Sequence, residues 1–394
     1  MRQAELDGQD IERTANLVGS QFDIIIVGGG IVGAACAWEC ARGGLKTLVL
    51  ERGPVGGGTT ASGMGHVVVM DDSDAQFALT HFSRQRWLDL APQLPVDVEF
   101  DLCGTLWVAA DAEEMAEVHR KATFYRERNV RVEVLDAKQL RQAEPNLRSG
   151  LAGGLVVKDD AVVYPPCAAR FFLEQAQKFG AQLRPQANVK AILLEGGVEL
   201  ADGSRISAGR VVNATGPWSP ELSPELPVRK RKGHLLITDR HPGYVKHQIV
   251  ELGYLKSAHS MSKDSVAFNI QPRKTGQMLI GSSRQFDAEH SAVDHEILSR
   301  MIQRAVEYLP TLGKLSSIRA WTGHRAATPD KVPLIGRSIA SDRVWLATGH
   351  EGLGITTSLG TGRLLADLLL GRKTEIPAEP FAPTRFANGG PHHD

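Results

Sequence analysis

The segment Phe22-Asp23-Ile24-Ile25-Ile26-Val27 runs directly into Gly28-Gly29-Gly30-Ile31-Val32-Gly33, and this junction constrains the fold more than any other part of the chain. A run this rich in β-branched residues suits a parallel strand buried on both faces. The small residues Ala34 to Arg42 read as a helix closed by Gly43-Gly44, and Leu45 to Leu50 as a second strand ending at Glu51-Arg52. The result is a βαβ unit with Gly28-x-Gly30-x-x-Gly33 at the strand-to-helix turn, the arrangement that dinucleotides require. Gly28 permits the tight turn, Gly30 lets a pyrophosphate approach the backbone, and Gly33 lets helix and strand pack closely. The helix N-terminus supplies amide donors and partial positive charge. Glu51 is spaced to accept the ribose hydroxyls and would repel a 2′-phosphate, which disfavours NADP. This motif alone does not separate FAD from NAD.

The rest of the chain bounds the alternatives. Its 394 residues suggest two or three domains at about 100–200 residues each. Lysine and arginine number 45, as do aspartate and glutamate, so the net charge of zero gives no reason to expect nucleic acid or an acidic membrane. The run Arg229-Lys230-Arg231-Lys232 is expected to be a solvated turn or strand end. No uninterrupted apolar run reaches the ~18 residues of a membrane span, although peripheral association stays open. Cys36, Cys40, Cys103 and Cys167 form no CxxC pair and no ligand spacing, so they are read as reduced core residues of a cytoplasmic protein without a bound metal. Residues 1–20 are expected to be a polar extension without a signal sequence, and 387–394 a disordered tail.

Further glycine-rich turns follow. Gly58-Thr59-Thr60-Ala61-Ser62-Gly63-Met64-Gly65-His66 offers small and hydroxyl residues to phosphates. Val211-Val212-Asn213-Ala214-Thr215-Gly216 is a strand ending in a small-residue turn. Trp345 to Gly354 is another strand-to-glycine turn, opening a helix from Ile355 to Leu370. Absence of a second GxGxxG argues against a separate NAD(P)H domain. Between these segments lie strand-like 104–108, helical 113–129 and 167–179, a hairpin at Asp202-Gly203, and a helix over 296–309.

In this order, with Asp159-Asp160 and the segment Gly323-His324-Arg325-Ala326-Ala327-Thr328-Pro329-Asp330, the motifs resemble the FAD-dependent D-amino-acid oxidase and dehydrogenase (DAO) family over about residues 22–386. That family includes glycine oxidase, sarcosine oxidase and the flavoprotein subunits of hydrogen cyanide synthase, opine dehydrogenase and D-hydroxyproline dehydrogenase. The resemblance implies an α/β fold, with a Rossmann-like FAD-binding domain (21–97, 151–226, 320–386) interrupted by an antiparallel-sheet α+β substrate domain (98–150, 227–319). It implies FAD held by Gly28, Gly30, Ile31, Val32, Gly33, Glu51, Arg52, Thr59, Thr60, Ala61, Ser62, His66 and Val189, together with Ala214, Thr215, Gly216, Gly352, Leu353, Gly354, Ile355 and Thr356.

Arg325 lies where the family places its substrate arginine, and a guanidinium can hold a carboxylate through two parallel bonds. Alanine rather than proline follows it. Asn269 stands where glycine oxidase has a substrate-contacting tyrosine, and Glu351-Gly352 replaces an arginine found in many relatives after the Gly-His turn. These departures point to a different, cyclic amine. His350 is expected to tune the flavin, or else to cap the strand end; His66 to lie near the cofactor, with covalent attachment the alternative. His234, Tyr254 and His259 are too isolated to assign. The implied reaction is FAD-dependent dehydrogenation of a D- or secondary amino acid such as D-hydroxyproline to an imine, with no dedicated base. The segment from Lys232 to Asp239 is most like the hydrogen cyanide synthase and hydroxyproline dehydrogenase branch, which implies electron-transferring partner subunits. The alternatives are a glycine- or sarcosine-type oxidase using oxygen, a non-catalytic flavin-binding subunit, and a tRNA-modifying flavoenzyme.

Overall fold

The computed structural model describes residues 21–253, 264–286 and 288–386. The extension, the tail, Tyr254 and His259 lie outside the described residues. The described residues form two compact units: those of 21–60, 166–229 and 326–386 make the first; those of 61–165 and 230–325 make the second.

A six-stranded sheet forms the centre of the first unit. Its order is Leu334–Arg337, Val344–Thr348, Ala208–Asn213, Phe22–Val27, Thr47–Glu51 and Gln182–Pro185. All neighbours run parallel except the edge strand Leu334–Arg337. Ile24, Ile25 and Ile26 are fully enclosed, as the unbroken apolar run requires. Phe22, Ile25, Leu48, Leu50 and Val211 share a core with Val198 and Leu200 of a three-stranded antiparallel sheet. The helix Ile31–Arg42 packs against Gly354–Leu369, where a Cβ on Gly362 would lie 2.6 Å from the Ala35 carbonyl oxygen. Trp38 stacks on Phe172 of the helix Pro165–Lys178.

An eight-stranded sheet organises the second unit, in the order Ser317–Ala327, Arg229–Thr238, Met278–Gln285, Asp264–Pro272, Gln248–Glu251, Thr105–Ala109, Gly153–Val157 and Val132–Asp136. It is mixed rather than wholly antiparallel, because Gln248–Glu251 runs parallel to Thr105–Ala109. One face carries Phe268, Ile270, Met278 and Ile280 against Met301, Ala305 and Tyr308 of the helix His295–Tyr308. Residues 61–97 and 151–165, placed with the nucleotide domain from the sequence, sit in this unit. Gly153–Val157 is hydrogen-bonded into its sheet, and His66–Val67 pairs with Ala161–Val162.

The basic run is a strand end but not a solvated one. It opens the strand Arg229–Thr238, and Arg231 and Lys232, on opposite faces of it, are both buried. The Lys232 ammonium donates to the Ala292 carbonyl at 2.6 Å, and burial holds its pKa below the ordinary lysine value.

Candidate active site

In the first unit, three strands end side by side and the glycine turns follow them. Gly28 donates to the Leu50 carbonyl at 2.8 Å and Ala214 to that of Val27 at 2.9 Å. Gly28 has φ of +109°, and a Cβ there would meet the Ala214 oxygen at 2.7 Å; a Cβ on Gly33 would lie 2.0 Å from the Gly28 oxygen. Glu51 turns back over the turn, its two oxygens accepting from Gly29 N and Gly53 N at 2.7 Å each. Thr60 Oγ1 accepts from Ile31 N at 3.0 Å, at the first helical residue. Arg52 stacks on the Trp218 ring at 4.6 Å, and Gly58 lies against the same ring, next to Thr59. Asn213 braces the second turn by accepting from Thr215 N and Oγ1 and donating to Ser219 O and Ser223 Oγ. Thr348 Oγ1 joins the third strand end to Gly216 O at 3.0 Å. Gly354 neighbours Val32, which brings Gly352, Leu353, Gly354, Ile355 and Thr356 beside the first turn. Val189 begins the strand that follows Ala187, whose amide donates to Glu51 O.

These residues fit a dinucleotide. The helices Asp74–Leu90, Ala112–Glu127, Ala137–Ala143 and His295–Tyr308 each begin with a serine or aspartate cap. By contrast, Ile31–Arg42 and Gly354–Leu369 have neither a side-chain cap from their own N-cap residues, Gly30 and Leu353, nor an acid in the first turn. A phosphate or flavin oxygen is the ligand such an N-terminus takes. The Glu51 carboxylate retains lone pairs for ribose hydroxyls beyond its two amide bonds.

His350 is buried, its Nε2 3.0 Å from Thr361 Oγ1 on the following helix. Burial pushes its pKa down to about 3, so it is neutral across the physiological range. This geometry braces the 349–354 turn against the helix, and the imidazole does not take up a proton at neutral pH. Glu351 takes φ of +51° and accepts from Gly352 N at 2.9 Å, a carboxylate that secures the turn.

In the second unit, the sheet face opposite the helix His295–Tyr308 collects a different set. Asn269 and Gln271 alternate with the core residues Phe268 and Ile270 and so point the other way. Over that face lies an apolar cluster of Met64, Leu235 and Leu279 with Ile237 and Trp321. Gln271 Nε2 donates to Met64 O at 2.7 Å. Asn269 is buried, and its Oδ1 has no hydrogen-bond partner among the described residues. His66 lies beside Gln271; burial first, and the charge of Arg325 as well, push it down to about 4. Ser62 packs on Gly323 next to Ala61, since a Cβ on Gly323 would lie 2.3 Å from Ser62 Cβ. Arg325 is partly buried, gives Nη1 to Ser283 O at 3.0 Å, and forms no ion pair among the described residues. The sequence did not point to Gln271, Gly233 or Ser283; the available signal was a polar residue inside a strand for Gln271 and Ser283, and a glycine in a strand interior for Gly233.

Of the motif's two acids, Asp159 pairs with Arg131, while Asp160 is buried against Arg84 at 2.7 Å and accepts from Val69 N at 3.3 Å. Among the described residues there is no group of three or more His, Cys, Asp or Glu side chains able to hold a metal, and no helix long and apolar enough to cross a membrane.

Residues 23–368 match the family described as FAD dependent oxidoreductase, DAO. The hydrogen cyanide synthase subunit HcnC of Pseudomonas aeruginosa is 27% identical, covering 93% of this chain and 96% of that protein. Glycine oxidase of the same organism is 28% identical over 91% of this chain and 98% of its own. Among solved structures, glycine oxidase from Geobacillus kaustophilus superposes with a TM-score of 0.83 at 25% identity, covering 92% of this chain and 98% of that one. L-Proline dehydrogenase from P. horikoshii has the same fold, with a TM-score of 0.84 at 24% identity and coverage of 94% and 99%.

Proposed function

The chain belongs to the DAO family of FAD-dependent oxidoreductases, and from that premise we propose that it dehydrogenates a small amino acid with a secondary amine, such as D-hydroxyproline, as the flavoprotein subunit of a hetero-oligomer. Bound FAD supplies the two-electron oxidation that takes a hydride from the amine-bearing carbon and leaves an imine. The observation that carries the reading is Arg325, a partly buried guanidinium held by one main-chain carbonyl and paired with no carboxylate among the described residues. A substrate carboxylate is the partner that such a cation lacks.

Asn269 Oδ1 supports the amine end, since a buried acceptor without a donor leaves a desolvation cost that a substrate N–H would offset. A secondary amine keeps the one N–H needed. Met64, Leu235, Leu279 and Trp321 supply an apolar wall that excludes water and suits a ring carbon skeleton. His66 is neutral at working pH, so it adds no cation beside Arg325. The FAD-binding set is the group of glycine turns, Glu51 and Thr60 in the first unit. The full-length likeness to a protein named as a subunit, HcnC, supports transfer of electrons to partner chains. Glycine oxidase, of similar likeness, supports the second reading, an oxidase reducing oxygen.

An anaerobic bleaching screen across D- and L-amino acids, hydroxyprolines, sarcosine and opines, repeated in air, tests substrate and acceptor together. The flavin is expected to bleach with a secondary amino acid and to reoxidise slowly in air. Arg325→Ala is expected to retain FAD and lose about 100-fold in the rate of reduction, the loss of a charge-assisted pair of bonds. Purified protein that neither holds nor rebinds FAD overturns the proposal.

A further inference from the structure

We infer that His234 and Ser283 form a positioning relay that aims the Arg325 guanidinium at its ligand, with Gly233 as the gap in which the guanidinium lies; the inference rests on Arg325 being the carboxylate anchor. The strands Arg229–Thr238 and Met278–Gln285 fall out of step at this place. Lys232 faces Gln285 and Leu236 faces Ile280, so four steps along one strand answer five along the other. A bulge of this kind breaks the ladder locally and re-aims groups next to it.

At the dislocation, His234 N donates to Ser283 Oγ at 2.9 Å, and His234 Nδ1 lies 2.8 Å from the same oxygen. Asp294 N donates to His234 Nε2 at 2.9 Å. An imidazole accepting at Nε2 carries its single proton on Nδ1, so Nδ1–H donates to Ser283 Oγ. The carbonyl of that serine accepts from Arg325 Nη1 at 3.0 Å. On the far side, Asp294 is the cap of the helix His295–Tyr308, accepting from Glu296 N and Ile297 N. The relay therefore runs from a helix terminus through a fully buried imidazole and a buried serine to the carbonyl that holds the guanidinium.

Gly233 completes it. A Cβ there would lie 2.5 Å from Arg325 Nη1 and 2.8 Å from Nη2, so only glycine lets the guanidinium lie against this strand. Filling the space alone would not require an imidazole with both ring nitrogens bonded, since an apolar side chain would do so without desolvating two polar groups. Mechanistically, a guanidinium fixed before the ligand arrives loses less side-chain freedom on binding.

The test is calorimetric titration of the FAD-loaded enzyme with acetate, using acetamide as the uncharged control. Wild type is expected to bind acetate and not acetamide, and Arg325→Ala to lose acetate binding. His234→Phe, which keeps the volume and removes the donor, is expected to weaken acetate about tenfold or more. Gly233→Ala is expected to do the same, and His234→Asn, whose amide can replace the Nδ1 donor, to recover most of the loss. Acetate affinity unchanged in His234→Phe and Gly233→Ala, with Arg325→Ala inactive in binding, overturns the relay and leaves the anchor standing. His234→Asn as weak as His234→Phe also overturns it, since volume and not donation would then be the cause. Wild type failing to bind acetate, or Arg325→Ala binding it normally, overturns the anchor itself. If His234→Phe does not fold, Ser283→Ala takes its place with the same expected weakening, and unchanged affinity there overturns the relay.

Discussion

Gly30 and Gly33 belong to one motif but do different physical work. At Gly33 there is no room for a methyl group, because the Gly28 oxygen lies 2.0 Å from where it would go. Gly30 has φ of −68°, open to any residue, and its Cβ would meet only Thr60 Oγ1, at 3.3 Å. Gly33→Ala is therefore expected to impair folding itself, read as loss of soluble protein or a melting temperature lower by several degrees. Gly30→Ala is expected to fold normally and to bind FAD about tenfold or more weakly, because the added methyl stands where the pyrophosphate approaches. Equal FAD affinity in Gly30→Ala and wild type would remove that residue from the cofactor site. Both roles, and which glycine serves the fold and which the ligand, were legible in the spacing; what lies across from each, the Gly28 oxygen and Thr60 Oγ1, was not.

Among the elements, the helix Ile31–Arg42 begins at the motif rather than at Ala34 as the small-residue run suggested, because Ile31 and Val32 continue the turn directly into helical geometry. The helices Asp74–Leu90 and Ala137–Ala143 were not read from the sequence at all. The first buries Gln76, Thr80, Ser83 and Arg84 among Leu79, Trp87 and Leu90 on its inner face, so the apolar periodicity that marks a helix is diluted by polar residues. Both nevertheless carry a start signal, Ser73-x-x-Gln76 and Asp136-x-x-Gln139, in which the side chain caps the third residue on. Where helix meets helix, a Cβ on Gly362 would lie 2.6 Å from the Ala35 oxygen. Gly362→Val is expected to force Gly354–Leu369 away from Ile31–Arg42 and to cost about 1–3 kcal/mol in chemical denaturation. A cost near zero would mean that the two helices can slide apart freely.

Across the whole molecule, buried ionisable groups set the response to acid and to mutation. His66 and His234 are depressed from 6.5 to about 4, and His350 to about 3, burial being the main cause in each. Their folded-state values lie below the unfolded one, so the unfolded chain takes up protons first as pH falls. Stability from this source is complete above about pH 6.5 and is lost between there and about pH 4, or about pH 3 for His350, at about 1.4 kcal/mol per histidine for each pH unit. The melting temperature is expected to drop between pH 7 and 5, and His350→Gln to flatten that slope; an unchanged slope would show that His350 titrates normally. Asp71 acts in the same direction at lower pH: burial alone would raise it, but Lys121 and Arg120 outweigh burial and hold it below 3.8, so its contribution is present above that value and is lost as pH falls from there through its depressed value. The buried pair Arg84–Asp160 is of the costly kind to break. Arg84→Met would strand a buried carboxylate and is expected to destabilise the protein by about 3–5 kcal/mol, whereas Arg84→Met with Asp160→Leu is expected to recover part of the loss.

The sequence by itself determined the βαβ unit at the nucleotide site, because every element of it is local. A strand, a turn with fixed spacing, a helix and an acid follow one another within residues 22–51, and backbone conformation at glycine is a property of the residue and its neighbours. The face of the eight-stranded sheet was decided only in three dimensions. Met64, Gly233, Gln271, Ser283 and Arg325 come from five separate segments, and nothing in the local chain says which strands pair or where a register slips. One bulge between Lys232 and Leu236 determines what Arg325 can reach, and a slip of one residue in a strand is invisible until its partner is in place.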